Sequence, residues 1–201
     1  MARYRRQDAA YHSARKQGYR SRAALKLEEL DRRFRLFRGG LRVVDLGCWP
    51  GGWLQVASQR VGPEGRVVGV DLTEIEPLEA ANVTFVCGDV RDEATRRAVA
   101  AAIGGTADLV LADLAPKLSG VKVADAERHL ALVDAALEVA QSLLGPRGRF
   151  LVKLFSPIER EALRRLRGAF AATATYRPPS SRRGSAELYA LAERPLPGGR
   201  P

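Results

Sequence analysis

Three short apolar runs in this chain each stop at a carboxylate, and that repetition limits the folds open to it. Leu41–Leu46 reaches Asp45, Val67-Val68-Gly69-Val70 runs into Asp71, and Val83-Thr84-Phe85-Val86-Cys87-Gly88 runs into Asp89. Each run has the length and β-branched content of a buried strand. Asp45-Leu46 leads into Gly47-Cys48-Trp49-Pro50-Gly51-Gly52, a tight turn, and Trp53-Leu54-Gln55-Val56-Ala57-Ser58 has helical character. Strand, glycine turn and helix in that order form the start of a nucleotide-binding βαβ unit. Glycine lets a backbone come close to a ligand because no Cβ intervenes.

The spacing excludes two common tenants. There is no G-x-G-x-x-G for a dinucleotide and no G-x-x-x-x-G-K-[ST] for a triphosphate. Asp71 stands about 20 residues past the loop, where a ribose-binding acid belongs. Acids at successive strand ends suit a ligand with hydroxyls, an amino group and a positive charge. S-adenosyl-L-methionine has all three. Helix capping by Asp45 and Asp71 is the structural alternative.

The remaining pattern continues the alternation. Strands are expected over 41–46, 66–71, 83–87, 108–113, 150–155, 171–176 and 187–192. Helices are expected over 22–35, with Ser21 as its N-cap, and over 53–60, 93–103, 124–144, closed by Gly145-Pro146, and 158–168. Strands alternating with helices give a mostly parallel sheet with helices on both faces. The last two strands have no helix between them, which predicts an antiparallel closing strand. The expected organisation is a basic arm over 1–20, one domain over 21–194 and a tail over 195–201.

Charge is uneven along the 201 residues. Residues 1–40 carry 12 basic and 4 acidic side chains (+8), residues 41–140 carry 9 and 15 (−6), and residues 141–201 carry 12 and 4 (+8). Two basic ends around an acidic centre fit a polyanion such as RNA, whose phosphates release counterions when neutralised. A solvated surface rich in arginine accounts for the same numbers. Tyr4, Tyr11 and Tyr19 are interleaved with the N-terminal basic residues and are expected to stack or hydrogen-bond on nucleic acid. Two cysteines, Cys48 and Cys87, make no disulfide framework, and no apolar run is long enough to span a bilayer. A cytoplasmic monomer with no metal is the expectation.

The parallel strands place their carboxyl ends, and so the ligand, along one sheet edge. Asp113 and Lys153 fall there, and Glu187 joins them if the last strand runs antiparallel. Lys153 is the most telling residue, because a lysine between Val152 and Leu154 is hard to place unless paired or functional. Lys26 sits beside the stripe Ala23, Leu27, Leu30 and Phe34, and its spacing alone favours a snorkelling lysine.

Five ordered motifs now identify a likeness. They are Tyr19-Arg20-Ser21-Arg22-Ala23-Ala24-Leu25-Lys26-Leu27, the Asp45–Trp53 loop, Asp113-Leu114-Ala115-Pro116 with Ser119-Gly120, Phe150-Leu151-Val152-Lys153, and Ser185-Ala186-Glu187-Leu188-Tyr189. The chain resembles the FtsJ/RrmJ family of S-adenosylmethionine-dependent RNA 2′-O-ribose methyltransferases over about residues 11 to 192. The resemblance implies a Rossmann-like methyltransferase fold, a seven-stranded mostly parallel sheet with one antiparallel strand. It implies a catalytic tetrad of Lys26, Asp113, Lys153 and Glu187, which overturns the snorkelling reading of Lys26; within that set Lys153 is expected to act as base, provided burial, Lys26 and the sulfonium charge lower its proton affinity. It assigns cofactor binding to Gly51, Trp53, Asp71, Asp89 and Asp113. Lacking an added domain, the chain is similar to the branch that methylates a uridine of large-subunit (23S) ribosomal RNA within the large ribosomal subunit. Action on tRNA or an RNA cap, or a non-catalytic ribosome-assembly role, are the alternatives. Two places depart from the family pattern: Cys48-Trp49 where two small residues are usual, and Phe155-Ser156-Pro157 where a Gln-Gly type segment is usual. Neither falls on the tetrad.

Overall fold

The structure, a computed structural model, describes residues 9–117, 119–179 and 187–198. Residues 1–8 of the expected arm, with Tyr4, lie outside the described residues, as do Ser185-Ala186 of the last motif and the end of the tail.

Among the described residues seven strands form one sheet: β1 (Arg42–Leu46), β2 (Arg66–Asp71), β3 (Val83–Cys87), β4 (Ala107–Ala112), β5 (Leu144–Phe155), β6 (Phe170–Tyr176) and β7 (Glu187–Pro195). Their spatial order is β3-β2-β1-β4-β5-β7-β6. The pairings of β1 to β5 among themselves are parallel, whereas β7 is antiparallel to both of its neighbours. This is the expected Rossmann-like arrangement, with β7 as the single reversed strand.

Six α-helices of the described residues pack on the two faces: α1 (Ala9–Lys16), α2 (Ala23–Phe34), α3 (Gly52–Val61), α4 (Glu93–Ile103), α5 (Lys122–Leu143) and α6 (Glu159–Ala169). The period-two geometry of a strand sorts its side chains between them. Val44, Leu46, Val68, Val70, Val110, Phe150 and Val152 share one core with α4, α5 and α6. Val43, Val67, Leu109, Leu111, Leu151, Tyr189 and Leu191 share the other with α1, α2 and α3. The near-continuous apolar strands seen in the sequence are the consequence of burial on both sides.

Several local expectations are corrected. Part of the expected arm, residues 9–16, is helix α1, and Ala14 is buried against the second core. Tyr19 is buried as well and donates its hydroxyl to Glu28, so it is not available for stacking. Ser21 does not cap α2: the N-cap is Arg22, with no side-chain cap bond, and the Ser21 hydroxyl is packed against Gly52. Gly145-Pro146 does not separate α5 from a later strand. The chain enters β5 at Leu144, and the pairing to β4 slips between Ala107 and Leu109 to absorb the irregular residues.

Candidate active site

The turn after β1 shapes the sheet edge where the parallel strands end. Gly47 has φ of 80°, and a Cβ there would lie 2.7 Å from Leu114 Cδ2. Gly51, at φ of 102°, is the N-cap of α3, and a Cβ there would press on the Arg20 guanidinium at 3.1 Å. Both positions need the left-handed backbone that glycine adopts without a steric cost. The turn carries a cis peptide at Trp49-Pro50.

A cavity of about 530 Å³ opens beside this turn, walled by Gly47, Trp49, Asp71, Leu72, Arg91 and Asp113 among others. Trp49 is 57% exposed and Leu72 is 69% exposed, so the wall presents apolar surface for a ligand to cover. Two carboxylates, Asp71 and Asp113, face the same space. Asp71 accepts hydrogen bonds from the amides of Trp49 and Thr73, both at 2.9 Å, which fix it to the loop rather than to a helix start. Apolar walls with a few convergent polar groups suit an adenosine-sized ligand.

The other residues expected around this ligand occupy different places. Gly51 and Trp53 do not line the cavity. Trp53 is buried, donates its indole N–H to the Ala23 carbonyl at 2.8 Å, and packs its ring 6.0 Å from Tyr189. Asp89 is taken up by Arg91, whose Nε lies 2.9 Å and 3.0 Å from the two carboxylate oxygens, and it is Arg91 that reaches the cavity wall. The hydrogen bond from Arg91 holds the Asp89 carboxyl below its ordinary range. Asp45 is wholly buried, and neither of its oxygens has a hydrogen-bond partner among the described residues. Burial first, then the charges of Asp113 and Asp71, push its carboxyl well above the usual range. It caps nothing.

The four residues of the expected tetrad meet at this edge as two ion pairs. Lys153 Nζ lies 2.8 Å from Asp113 Oδ1 and 3.0 Å from the Asp113 carbonyl. Lys26 Nζ lies 2.5 Å from Glu187 Oε1. The two lysines are 8% and 9% exposed, so neither is a solvated or snorkelling side chain. Antiparallel pairing sets the geometry: β7 places Tyr189 opposite Lys153 and Glu187 opposite Phe155. Burial pushes the Glu187 carboxyl up, but the hydrogen bond and charge of Lys26, with the charge of Lys153, outweigh it and hold it below its usual range.

Tyr189 joins the two pairs. Its hydroxyl is 3.2 Å from Asp113 Oδ1 and is also hydrogen-bonded to Glu187. Burial, then the two carboxylate charges, push the phenol well above its ordinary value, so it stays a neutral donor. The sequence carried Tyr189 in a motif without a role. Its signal is the two-residue spacing from Glu187, which puts both on one face of a strand. His129 was not visible at all. It is buried on α5, hydrogen-bonded to the backbone of Lys153, with its ring centre 4.7 Å from that of Phe155.

Comparison with known proteins gives a consistent picture. The family model for FtsJ-like methyltransferases matches residues 19–194. The chain is 45% identical over 190 residues to ribosomal RNA large subunit methyltransferase E of Methanothrix thermoacetophila, covering 94% of this chain and 73% of that one. It is 42% identical over 186 residues to the protein of the same name from Acidithiobacillus ferrooxidans, covering 92% and 84%. A solved structure from Plasmodium falciparum, described as a ribosomal RNA methyltransferase, superposes with a TM-score of 0.76 at 26% identity, covering 90% of this chain and all of that one.

Proposed function

The chain belongs to the FtsJ-like methyltransferase family, and from that premise we propose that it moves the methyl group of S-adenosyl-L-methionine onto a ribose 2′-oxygen of large-subunit ribosomal RNA. The observation that carries this reading is the pair of buried lysine–carboxylate contacts, Lys153–Asp113 and Lys26–Glu187, bridged by Tyr189 and joined through Asp113 to the wall of the 530 Å³ cavity. The relatives' names support ribosomal RNA as the substrate, and the family resemblance supports uridine as the nucleotide.

S-adenosylmethionine, when bound, supplies a methyl on a sulfonium that leaves as a neutral thioether, keeping the carbon–sulfur electron pair. The protein must then align the ribose oxygen and take its proton. Lys153 Nζ is the base: once its ammonium has released a proton to solvent, the neutral amine accepts the 2′-hydroxyl proton as the oxygen–carbon bond forms. Asp113 holds that amine by its carboxylate and its carbonyl together, which fixes the direction of approach. Lys26, anchored by Glu187, presents N–H donors beside the same oxygen. Good alignment in such sites contributes roughly 7–11 kcal/mol. Asp71 and Asp113 are the residues that would hold the cofactor from the cavity wall, with Trp49 and Leu72 covering its apolar faces. Gly51, Trp53 and Asp89 belong to the same reading as supports: Gly51 sets the turn, Trp53 braces Tyr189, and Asp89 orients Arg91.

The test combines a ribose-methylation map of ribosomal RNA from a strain lacking the protein with labelled methyl transfer by purified wild type and Lys153→Ala. One large-subunit position should lose its 2′-O-methyl, and the variant should lose turnover by about 10²- to 10⁴-fold, the share of a general base, while still binding cofactor. An unchanged ribosomal map with a changed tRNA map would replace the substrate. Retained turnover in Lys153→Ala would remove the base assignment.

A further inference from the structure

The tetrad and the cofactor cavity leave a second cavity at the same sheet edge without a role. Its volume is about 230 Å³, and its wall includes Pro116, Ala126, His129, Phe155, Pro157 and Ile158. Pro116 is common to both cavities, which makes them neighbours. Phe155 ties the second cavity to the chemistry, since its ring centre lies 5.7 Å from Lys153 Nζ. His129 backs Phe155, is 2% exposed, and its Nε2 is itself buried with no hydrogen-bond partner among the described residues. Burial, then the charge of Lys153, push its imidazole down to about 4, so the ring is neutral at physiological pH. Because the ring also hydrogen-bonds to the backbone of Lys153, Nε2 is left as a bare acceptor. Two charged residues complete the wall: Lys122, and Asp125, whose oxygens already accept from Ser119 and Gly120.

We propose that this cavity receives the base of the nucleotide whose ribose is methylated. The inference rests on the ribose-methylation reading and adds where the target base goes. A 2′-oxygen that gives its proton to Lys153 must lie within hydrogen-bond reach of Nζ. Its own base is attached at the adjacent sugar carbon and so lies a few bonds away, a distance comparable to that between Nζ and the Phe155 ring. The cofactor cavity is closed to it, because the methyl donor fills that space. The second cavity matches the chemistry of a base: aromatic, prolyl and aliphatic side chains meet its flat faces, and the Lys122 ammonium offers a donor to its polar edge.

Filling the cavity tests this without touching the tetrad. Ala126→Phe, on the α5 side of the wall, should lower kcat/KM for large-subunit RNA at least tenfold. Cofactor affinity and the unfolding midpoint should stay at wild-type values. Phe155→Leu, which keeps apolar bulk and removes the ring, should lower it several-fold. Photo-crosslinking of the wild-type protein to RNA carrying 4-thiouridine at the methylated position reads the contact directly, so the result does not depend on how the variants fold. The crosslinked peptide should contain Phe155 or His129. Crosslinks confined to other segments, or wild-type kcat/KM in both folded variants, would overturn the pocket while leaving ribose methylation standing. A wild-type protein that methylates no ribose defeats the parent reading, and the pocket with it.

Discussion

Replacing His129 by leucine isolates one buried titration whose size the structure sets. The imidazole is buried on α5, and the Lys153 ammonium adds to the effect of burial in pushing it from 6.5 down to about 4. Between those two values the unfolded chain holds a proton on this residue and the folded chain does not. Stability rises with pH wherever the unfolded state binds more protons. The contribution of His129 is therefore complete above pH 6.5 and is eroded as the pH falls toward 4, by about 3 kcal/mol across the window. Leucine removes the titration and leaves a constant offset of about 1 kcal/mol for the lost hydrogen bond to Lys153. Urea unfolding of both proteins in half-unit steps from pH 4 to 7.5, at fixed ionic strength, gives the difference curve. Asp45 titrates in the opposite sense, since its folded carboxyl is raised and its penalty grows with pH, but it is common to both proteins and cancels. A difference curve flat to within about 0.5 kcal/mol would refute a buried neutral imidazole.

Glu187→Gln removes a carboxyl held below its usual range, so its stabilisation, present above pH 4.5 in wild type and lost as the pH falls below that, should be missing from the variant's acid unfolding curve. The same variant should transfer methyl more slowly at saturating RNA, read by single-turnover kinetics. Gly88→Ala would place a Cβ 2.3 Å from Thr95 Oγ1 and should cost about 1–3 kcal/mol in urea unfolding, much of it recovered by adding Thr95→Ala. Asp45→Asn replaces a buried carboxylate with no partner by a neutral amide and should raise the unfolding midpoint at pH 7 by about 2–4 °C for each kcal/mol gained, with the gain shrinking toward pH 4.

Where local pattern decides an element, the sequence was sufficient. The strands of the first half and α4 fall on their expected residues because short β-branched runs and a glycine stop are local signals. What escaped was settled by packing between distant segments. Helix α1 has no acid in its first turn and a mixed polar surface, and it is held by burying Ala14. Ser21 has the chemistry of an N-cap, yet the close approach of α2 to α3 packs its hydroxyl on Gly52 instead. The early start of β5 at Leu144 exists because β4 offers a pairing partner at Ala107, which no property of Gly145-Pro146 announces.

The site divides along the same line. Lys153 is legible alone, since an amine within an apolar strand demands a partner. Lys26 is not, because its partner lies 161 positions away and its helical spacing is that of an ordinary surface lysine. His129 gave no signal because α5 has only a weakly segregated apolar face, so a single histidine in its sequence carries no information about which side it faces. The step that makes the tetrad possible is the reversal of β7. With β7 antiparallel to β5, Glu187 begins opposite Phe155, and Tyr189 sits opposite Lys153. Run in parallel, the same strand would start near Arg149, leaving Glu187 roughly 20 Å from the edge at about 3.3 Å per residue. Lys26 would then be buried without its carboxylate, a state that costs about 3–5 kcal/mol. The missing helix between the last two strands, a feature with no chemistry of its own, is therefore what brings Glu187 to the other three residues of the cluster.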